Sequence, residues 1–547
     1  MVYFGKVDLS DRKKDEYESA VAAGSHKKEV ELSEDFILPD YMRDAKKIVW
    51  VKGRPVITDQ YRKGEGLSVS GKVIYDILYI DELGAASGVS FESAFSLDCE
   101  DKCTGASAEL LRATLEAVSA HLSNPRKLNL RSRAGIVLDA WEKESFLPTF
   151  SGAGVPECRV MSAQGASVGI IFDDTLTFSA DARIESPVPT PDGITDVSAD
   201  VFFERASVAK GQAQLEGRMN IKVLLSCPTH DEKKDADAED GAPETEVSMP
   251  AAIAFSYPLK LSLDAKDIKD AQAAAIGSIS SVNASLAEDE EGNMRLIEFD
   301  VDYSVSLLAV GEKEILYIDD AFIPGAYTSL ERTSYSLPSP DAHLCGSFSL
   351  SEGVEIAQED RKKLEGAEAI SSYIRLSFPE EREVGKRDRT VLSGKAHADM
   401  LMRSIDGELF PYGTTIPLRT ECAGTLSDAS SLFGSACADM AKIRIDDGKI
   451  RFDFEVRYDF MGIKESTIDA VSAIKAIKDI ERSGCRFSGI VIAYPESDET
   501  IFDLCKKYSL PCEALLSENG IDEAAKALPR TLKIPEYSDK KPFSAII

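Results

Sequence analysis

The chain has 547 residues, and its 94 acidic against 63 basic residues give a formal net charge of −31. Nucleic acid and anionic membrane surfaces are disfavoured as partners of so acidic a chain, because their phosphates would be repelled. The length predicts about three to five domains, and a hydrophobic content of 43% is enough for each domain to bury a core.

The N-terminal stretch MVYFGKVDLSDRKKDEYESAV lacks an apolar segment followed by a small-residue cleavage site, and no run approaches 18 consecutive apolar residues. We therefore expect neither a secretory signal nor a membrane-spanning segment. Residues 1–24 are expected to form an N-terminal helical segment. Ten scattered cysteines are too few for a disulfide framework, which favours a reducing, cytoplasmic compartment.

An internal repeat organises most of the chain. ELSEDFIL around Ser33 recurs as TFSADARI around Ser179 and SLSEGVEI around Ser351. VSGKVIYDILYID, LEGRMNIKVLLS and LSGKAHADMLMRSID follow them, with a glycine at positions 71, 217 and 394. The serine-to-glycine spacing is 38, 38 and 43 residues. Two independent similarities at nearly constant spacing indicate repeated structural units.

We predict three β-rich, sandwich-like repeats at residues 25–150, 165–312 and 340–464, joined by Pro- and Gly-containing segments at Phe146–Pro156 and Phe322–Pro340. The second repeat carries an acidic insert at residues 228–246. Its composition favours a solvated, disordered loop, and an acidic partner-binding arm is the alternative.

Two segments near the ends of repeats two and three alternate apolar and charged residues: Arg295–Leu308 and Lys449–Phe460. Strict alternation predicts strands with one buried face and one solvated face. We interpret the charged face as solvent-exposed rather than as a binding groove.

The segment STIDAVSAIKAIKDIERSG, residues 466–484, follows the third repeat. Ile468, Val471, Ile474, Ile477 and Ile480 recur every third residue, and Gly484 is suited to end a helix. A linker helix is predicted at 466–484.

Residues 485–537 predict a small module of strand, helix, helix and strand. IVIAY is an apolar run of strand length, SDETIFDLCKKY places Ile501, Leu504 and Cys505 on one helical face, and TLKIP predicts the closing strand. Asp498 is predicted to cap the first helix, and the second helix is expected to end near Asn519. Cys505 and Cys512 are interpreted as core thiols rather than a metal pair.

The module resembles a LysM domain through Asp498-x-Thr500, Leu515-x-x-x-Asn519 and the final Leu532-x-Ile534-Pro535. The resemblance implies an N-acetylglucosamine-polymer groove between residues 495–500 and 518–522. Protein docking through the first helix is the other use of such a module. The candidate binding residues from both interpretations are Pro495, Ser497, Asp498, Thr500, Asp503, Lys506, Lys507, Asn519 and Ile521.

Repeats built on GKVIYDILYID, followed by a LysM-like module, resemble the SPOCS-domain family, typified by SipL-like spore coat morphogenetic proteins. The resemblance covers residues 25–537. It implies a non-enzymatic adaptor at the forespore surface, inside the mother cell, which docks on a coat basement-layer protein of the SpoIVA type. The alternative is a peptidoglycan-binding protein that uses the repeats as spacers.

Sequence motifs for catalysis are weak. GASVG around Ser167 matches a nucleophile elbow, but the following GIIFDDTLTFSA predicts more strand where that elbow needs a helix. Cys99 and Cys103 have no second pair at zinc-finger spacing, and no phosphate-binding glycine loop is present. None of the five histidines has an orienting partner nearby in sequence. We therefore expect no catalytic residue, no metal site and no cofactor, and an enzyme of unrecognised type ranks third.

Overall fold

The structure is a computed structural model that describes residues 3–6, 17–63, 66–99, 108–152, 154–185, 188–229, 247–265, 268, 270–385, 389–427, 430–439, 441–446, 448–479, 491–496, 499–521 and 528–535. It is 78% strand and 5% helix. The predicted mainly β fold is therefore confirmed.

Most strands fall into three consecutive groups, preceded by β1 (Tyr3–Lys6). Group 1 comprises β2 (Glu18–Ile37), β3 (Ala45–Lys63), β4 (Gly66–Asp81), β5 (Ala86–Cys99), β6 (Ala108–Asn124) and β7 (Lys127–Ser145). The short β8 (Thr149–Ser151) separates it from group 2, which comprises β9 (Glu157–Arg183), β10 (Gly193–Ala209), β11 (Gln212–Thr229), β12 (Val247–Asp264), β13 (Ala271–Glu288) and β14 (Met294–Phe322).

Group 3 and a small C-terminal module complete the described chain. Group 3 comprises β15 (Ala326–Glu355), α1 (Arg361–Leu364), β16 (Glu368–Val384), β17 (Arg389–Arg403), β18 (Leu409–Ala423), β19 (Ser431–Ala438), β20 (Lys442–Asp446) and β21 (Lys449–Asp479). The C-terminal module comprises β22 (Val491–Ala493), α2 (Ile501–Tyr508), α3 (Cys512–Asn519) and β23 (Leu532–Ile534).

One pairing scheme occurs in all three groups. The first strand pairs with the last, as β2 with β7, β9 with β14 and β15 with β21, all antiparallel. The second, third and fourth strands of each group form an antiparallel meander, β3–β4–β5, β10–β11–β12 and β16–β17–β18. The serines of the sequence repeat occupy one place in this scheme, because Ser33, Ser179 and Ser351 lie on the solvent-facing side of the first strand.

Each group buries a core between its meander and its first and last strands. In group 1 the meander residues Val73 and Tyr75 pack with Leu128 and Ile136 of β7. Corresponding clusters join β11 to β14 and β17 to β21. In group 2 the two layers belong to one continuous sheet, because β10 also pairs with β13. Alternating apolar residues thus meet across two layers, which is the packing that the period-two pattern demands.

The repeated glycines lie where a β-bulge brings two backbones together. Gly71, Gly217 and Gly394 lie on the central strands of the meanders, opposite irregular register in the preceding strand. A Cβ atom on Gly217 would lie 2.2 Å from the carbonyl oxygen of Phe202, and the corresponding backbone approaches are 2.6 Å at Gly71 and 2.3 Å at Gly394. Only glycine fits such an approach, which explains why the repeat retains it.

We expect Gly217→Ala to lower the free energy of unfolding by roughly 1–3 kcal/mol, because the new methyl group forces the two strands apart. Gly193→Ala is the matched control, since a Cβ at Gly193 meets no atom within 4 Å. Chemical denaturation followed by circular dichroism measures both variants. Equal stability of the two variants would contradict the bulge explanation.

Equivalent residues of the three groups meet in a shared apolar cluster. Leu78, Leu224 and Leu401 each lie seven residues after the repeated glycine, and all three belong to one buried cluster with Trp50. A second buried cluster takes residues from the fifth strand of each group, namely Leu110, Ala274 and Phe433. The three groups therefore pack against one another around these shared apolar clusters, which we call junctions.

A buried ion pair spans the first junction. The Nζ atom of Lys52 in group 1 lies 2.6 Å from the Oδ2 atom of Asp196 in group 2, and their side chains are 6% and 11% exposed. The same ammonium lies 5.4 Å from the ring centroid of Tyr373 in group 3. Burial raises the pKa of the Tyr373 hydroxyl above its usual range. Lys52 thus contacts all three groups from one position.

Lys52→Ala should destabilise the protein by about 3–5 kcal/mol, because it leaves the Asp196 carboxylate buried without its cation. Lys63→Ala, on the same strand, is the control, since the Lys63 side chain is 63% exposed and its pair with Asp98 contributes about 0–1 kcal/mol. Equilibrium denaturation measures both changes. A double variant, Lys52→Met with Asp196→Leu, should recover much of the loss; if it does not, the ion pair is not the cause.

The predicted helix at 466–484 is wrong, because β21 continues as a strand to Asp479. The register of β21 against β15 shifts beside Ser472 and again beside Ile477, and each shift moves the buried face by one residue. Ile468 and Val471 are buried on opposite faces of β21, in different clusters, and the shift beside Ser472 returns Ile474 to the face of Val471. Burial on both faces together with this bulge gives a three-residue spacing that resembles a helical period. Residues 480–484 lie outside the described residues.

Strands also replace the predicted helical segment at residues 1–24, which is wrong where the chain is described, since residues 3–6 form β1 and β2 begins at Glu18. The segment Phe322–Pro340 is not an irregular junction, because β15 begins at Ala326. The predicted insert at 228–246 lies outside the described residues apart from Pro228 and Thr229, which end β11. The division into three repeated domains stays a prediction.

Candidate functional site

The C-terminal module has the predicted order of elements, and its two strands pair antiparallel. Its helices bury Phe502, Leu504, Cys505, Cys512 and Leu515 in a common cluster. Both cysteines are therefore in the core, and contact between the two thiols, together with burial, raises the pKa of Cys512.

Thr500 is the N-cap of α2, so the prediction that Asp498 caps this helix is wrong. The Oγ1 atom of Thr500 accepts a hydrogen bond from the Asp503 backbone N–H at 3.2 Å, and the Asp503 carboxylate accepts one from the Thr500 N–H at 3.0 Å. This reciprocal capping box satisfies two donors at the start of the helix. Thr500 and Asp503 thus have structural partners within the module. Ser497 and Asp498 lie outside the described residues.

The module is joined to group 2 by a shared core and by ion pairs. Phe322, at the end of β14, belongs to the module core and packs edge-on against Phe502 with ring centroids 5.3 Å apart. Lys506 contacts both carboxylate oxygens of the nearly buried Asp320, at 2.6 and 2.8 Å. Arg159 pairs with Asp319 at 2.8 Å and reaches Asp503 at 3.3 Å. The docking residues Asp503 and Lys506 therefore already face the protein's own body.

Asn519 fastens the second helix to the closing strand. Its side-chain amide donates to the Lys533 carbonyl at 2.7 Å, and its Oδ1 atom accepts from the Lys533 N–H at 2.7 Å. A further bond from the same amide reaches the Leu515 carbonyl. Ile521 packs against the module core and Pro495 is half-buried. The Asn519 side chain is thus engaged in hydrogen bonds within the module, and its amide is not directed at a ligand.

The outward surface of the module combines Lys507 with an apolar strand. Lys507 is 59% exposed and pairs only weakly with Glu499 at 3.3 Å. Val491 and Ile492 of β22 are 46% and 49% exposed, and the following Tyr494 is 73% exposed. Successive side chains of a strand alternate between its faces, so Ile492 and Tyr494 lie on one side and Val491 on the other. Ile492 and Tyr494 therefore form an exposed apolar surface of the kind that marks interaction sites. The sequence showed the strand, but its exposure was not evident because the run IVIAY resembles a buried strand.

Lys506→Ala should loosen the module from the body by about 1 kcal/mol, since the lysine is half-exposed and its loss removes the short ion pair with Asp320, which also pairs with Arg332 at 3.9 Å. The expected result is faster cleavage at the module boundary under limited proteolysis. Lys507→Ala, at the adjacent position, whose ion pair is with Glu499 of the module itself, should cleave at the wild-type rate. Equal rates for the two variants would contradict the anchoring role of Lys506.

A second group of polar residues, which local sequence did not connect, lies on group 3. His343 and Cys345 alternate on β15 and therefore share one face with Asp459 of β21, which is directly opposite Cys345. The nearest atoms of His343 and Asp459, Nε2 and Oδ1, are 2.5 Å apart, and this contact raises the pKa of the imidazole. The partner of His343 is 116 residues away in sequence, which is why inspection of neighbouring residues missed it.

Ser167 and Cys99, which belong to the weak catalytic and zinc motifs of the sequence, lie within strands. Ser167 lies in the middle of β9, which continues past it as predicted. Cys99 is buried at the end of β5, and Cys103 lies outside the described residues. A cleft of about 330 Å³ lies between the three groups beside Arg54, Asp200 and Ser435, and Arg54 pairs with Asp76 at 2.9 Å.

Comparisons with known proteins add no relative: no family model, no curated protein and no solved structure matches this chain. Among the described residues, no helix is long and apolar enough to cross a membrane.

Proposed function

We propose that this chain is a non-enzymatic adaptor that binds a partner protein through the exposed strand β22 of its C-terminal module. In the setting that the SPOCS resemblance implies, the partner is a coat basement-layer protein of the SpoIVA type at the forespore surface, and the three strand groups are SPOCS-like repeats. The single observation that carries the proposal is the exposure of Ile492 and Tyr494, two large apolar side chains on the same side of β22 and the residue after it.

The attachment of the module supports an adaptor role. Phe322, Arg159 and Asp320 of the body hold α2 in place, so the inner side of the module is occupied and β22 is left on the outside. A rigid attachment loses less conformational entropy on binding than a tethered module would, and it transmits the position of the partner to the body. These properties suit a protein that joins two assemblies.

Protein docking is favoured over glycan binding by the state of the polar groups in the groove expected for a LysM domain. Sugar hydroxyls need free donors and acceptors beside an aromatic face. Thr500 is used in the capping box, and Asn519 is used in the hydrogen bonds to the Lys533 backbone. Apolar side chains on an exposed strand are better suited to a protein surface.

Glycan binding remains the second candidate because of one residue. Tyr494 is 73% exposed and directly precedes Pro495 in the first groove loop, so its ring offers the aromatic face on which a sugar stacks. A peptidoglycan-binding function would depend on this ring and would not depend on Ile492.

The test uses the full-length chain, because the module shares its core with Phe322 of the body. Affinity for a purified basement-layer protein of the SpoIVA type is measured by biolayer interferometry, and binding to purified peptidoglycan by co-sedimentation. We expect Ile492→Glu to weaken protein binding at least about tenfold, because a charge would be buried in the contact.

The matched control is Ile405→Glu, which places the same charge at an isoleucine that is 79% exposed on the body. It should bind the partner as the wild type does. Wild-type affinity of Ile492→Glu would remove β22 from the interface. If the wild type sediments with peptidoglycan but captures no protein, and Tyr494→Ala no longer sediments, the glycan-binding function replaces the adaptor function.

A further inference from the structure

The group 3 face that carries His343 and Cys345 breaks the pattern of its own strand. Along β21 the residues between the apolar positions are exposed or half-buried, as at Asp453 and Glu455, but Asp459 is 0% exposed. A carboxylate removed from water needs compensation by charge or by hydrogen bonds to both oxygens. Only Oδ1 has such a contact, to His343; Oδ2 has no hydrogen-bond partner among the described residues.

A thiol and a hydroxyl group lie next to Asp459 in the sheet. Asp459 has a cross-strand neighbour on each of the two adjacent strands, Cys345 on β15 and Ser435 on β19. Cross-strand neighbours share a face of the sheet, so all three side chains are directed to the same side. The Ser435 hydroxyl is also buried without a hydrogen-bond partner in the described structure.

We propose that His343, Cys345 and Asp459 form a zinc site. Their ligand atoms, one nitrogen, one sulfur and one carboxylate oxygen, all lie within 4.8 Å of one another. Ligand atoms around a tetrahedral zinc ion are separated by roughly 3.3–3.8 Å, given bonds of about 2.0–2.3 Å. Small side-chain movements therefore close the set around one ion.

The ligand types select the metal. Calcium and magnesium take oxygen ligands almost exclusively, whereas a thiolate, an imidazole and a carboxylate together suit zinc. On binding, the Cys345 thiol releases its proton to solvent and coordinates as the thiolate, and His343 coordinates as the neutral imidazole. The two negative ligands balance the charge of the ion, which compensates the buried carboxylate of Asp459.

The geometry leaves one zinc position for a fourth ligand. Cys345 is exposed and His343 is 30% exposed, so the ion would be reached from solvent, and a water molecule can complete a tetrahedron. The exposed Arg205 of group 2 lies close enough for its charge to act on Cys345. The site therefore lies near group 2, although all three ligands belong to group 3.

The test uses metal-free full-length protein and Co²⁺ as a spectroscopic substitute for Zn²⁺. We expect one cobalt ion per chain, with a thiolate-to-cobalt charge-transfer band that is lost in Cys345→Ser. Cys437→Ser is the matched control, because Cys437 lies on β19 of the same sheet outside the cluster. It should retain the band, and circular dichroism verifies that both variants fold.

Zinc affinity is measured in competition with a chromophoric chelator. His343→Ala should weaken binding at least about tenfold, because loss of a ligand costs no less than the roughly 10–100-fold lost with an outer-shell partner, whereas His397→Ala, at a histidine on β17, should leave it unchanged. Absence of the cobalt band in the wild type, its persistence in Cys345→Ser, or unchanged zinc affinity in His343→Ala would overturn the proposal. In that case His343 and Asp459 form an ion pair only.

Discussion

The arrangement of the three strand groups depends on the ion pair between Lys52 and Asp196. Lys52 comes from β3 of group 1, Asp196 from β10 of group 2, and the ammonium also approaches the ring of Tyr373 from β16 of group 3. Charges this deeply buried tolerate little displacement, because their attraction must offset the loss of hydration. The apolar cluster of Leu78, Leu224 and Leu401 lies at the same junction and contributes the non-directional part of the packing. The buried pair therefore restricts how groups 1 and 2 can be placed relative to each other.

Long strands connect this junction to the C-terminal module. β14 runs from the group 2 core to Phe322, and β21 runs from the group 3 core to Asp479. Their outer parts pack together through Ile318, Val471 and Ile474. The outer part of β14 ends at the residues that hold α2. The position of the exposed strand β22 is thus determined by the same strands that build the cores, which is the property that an adaptor requires.

The parts of the fold that follow from local patterns were predictable. The alternation at Ile297, Phe299 and Val301 appears as a buried face in the structure, and the helices of the module lie where their apolar residues indicated. Segment 466–479 was not predictable by the same method, because Ile468 and Val471 are buried on opposite faces of the strand and the bulge beside Ser472 puts Ile474 on the face of Val471. Periodicity reports which side chains are buried, and a bulged strand can share that period with a helix.

Pairings distant in sequence account for the other differences. His343 and Cys345 alternate as HLC, a spacing that places both on one face of a strand, but nothing nearby identifies Asp459 as their neighbour. Likewise Asp503 and Lys506 have the composition of an exposed helical face, and only the tertiary structure brings Arg159 and Asp320 against them. The apolar composition of β22 is typical of a buried strand, whereas tertiary packing leaves Val491 and Ile492 exposed.

Because the three groups belong to one chain, equivalent positions can carry different residues, which three identical subunits could not do. The positions five residues after the repeated glycines are Asp76, Lys222 and Asp399, two acidic residues and one basic. Burial lowers the pKa of Lys222, and the charges of Asp200 and Lys52 act on it in opposite directions. Three separate copies of one chain would carry three like charges at this level of the junction. A single chain can vary each position independently: Asp76 and Asp399 each pair with an arginine of their own group, whereas Lys222 takes the place of a third carboxylate.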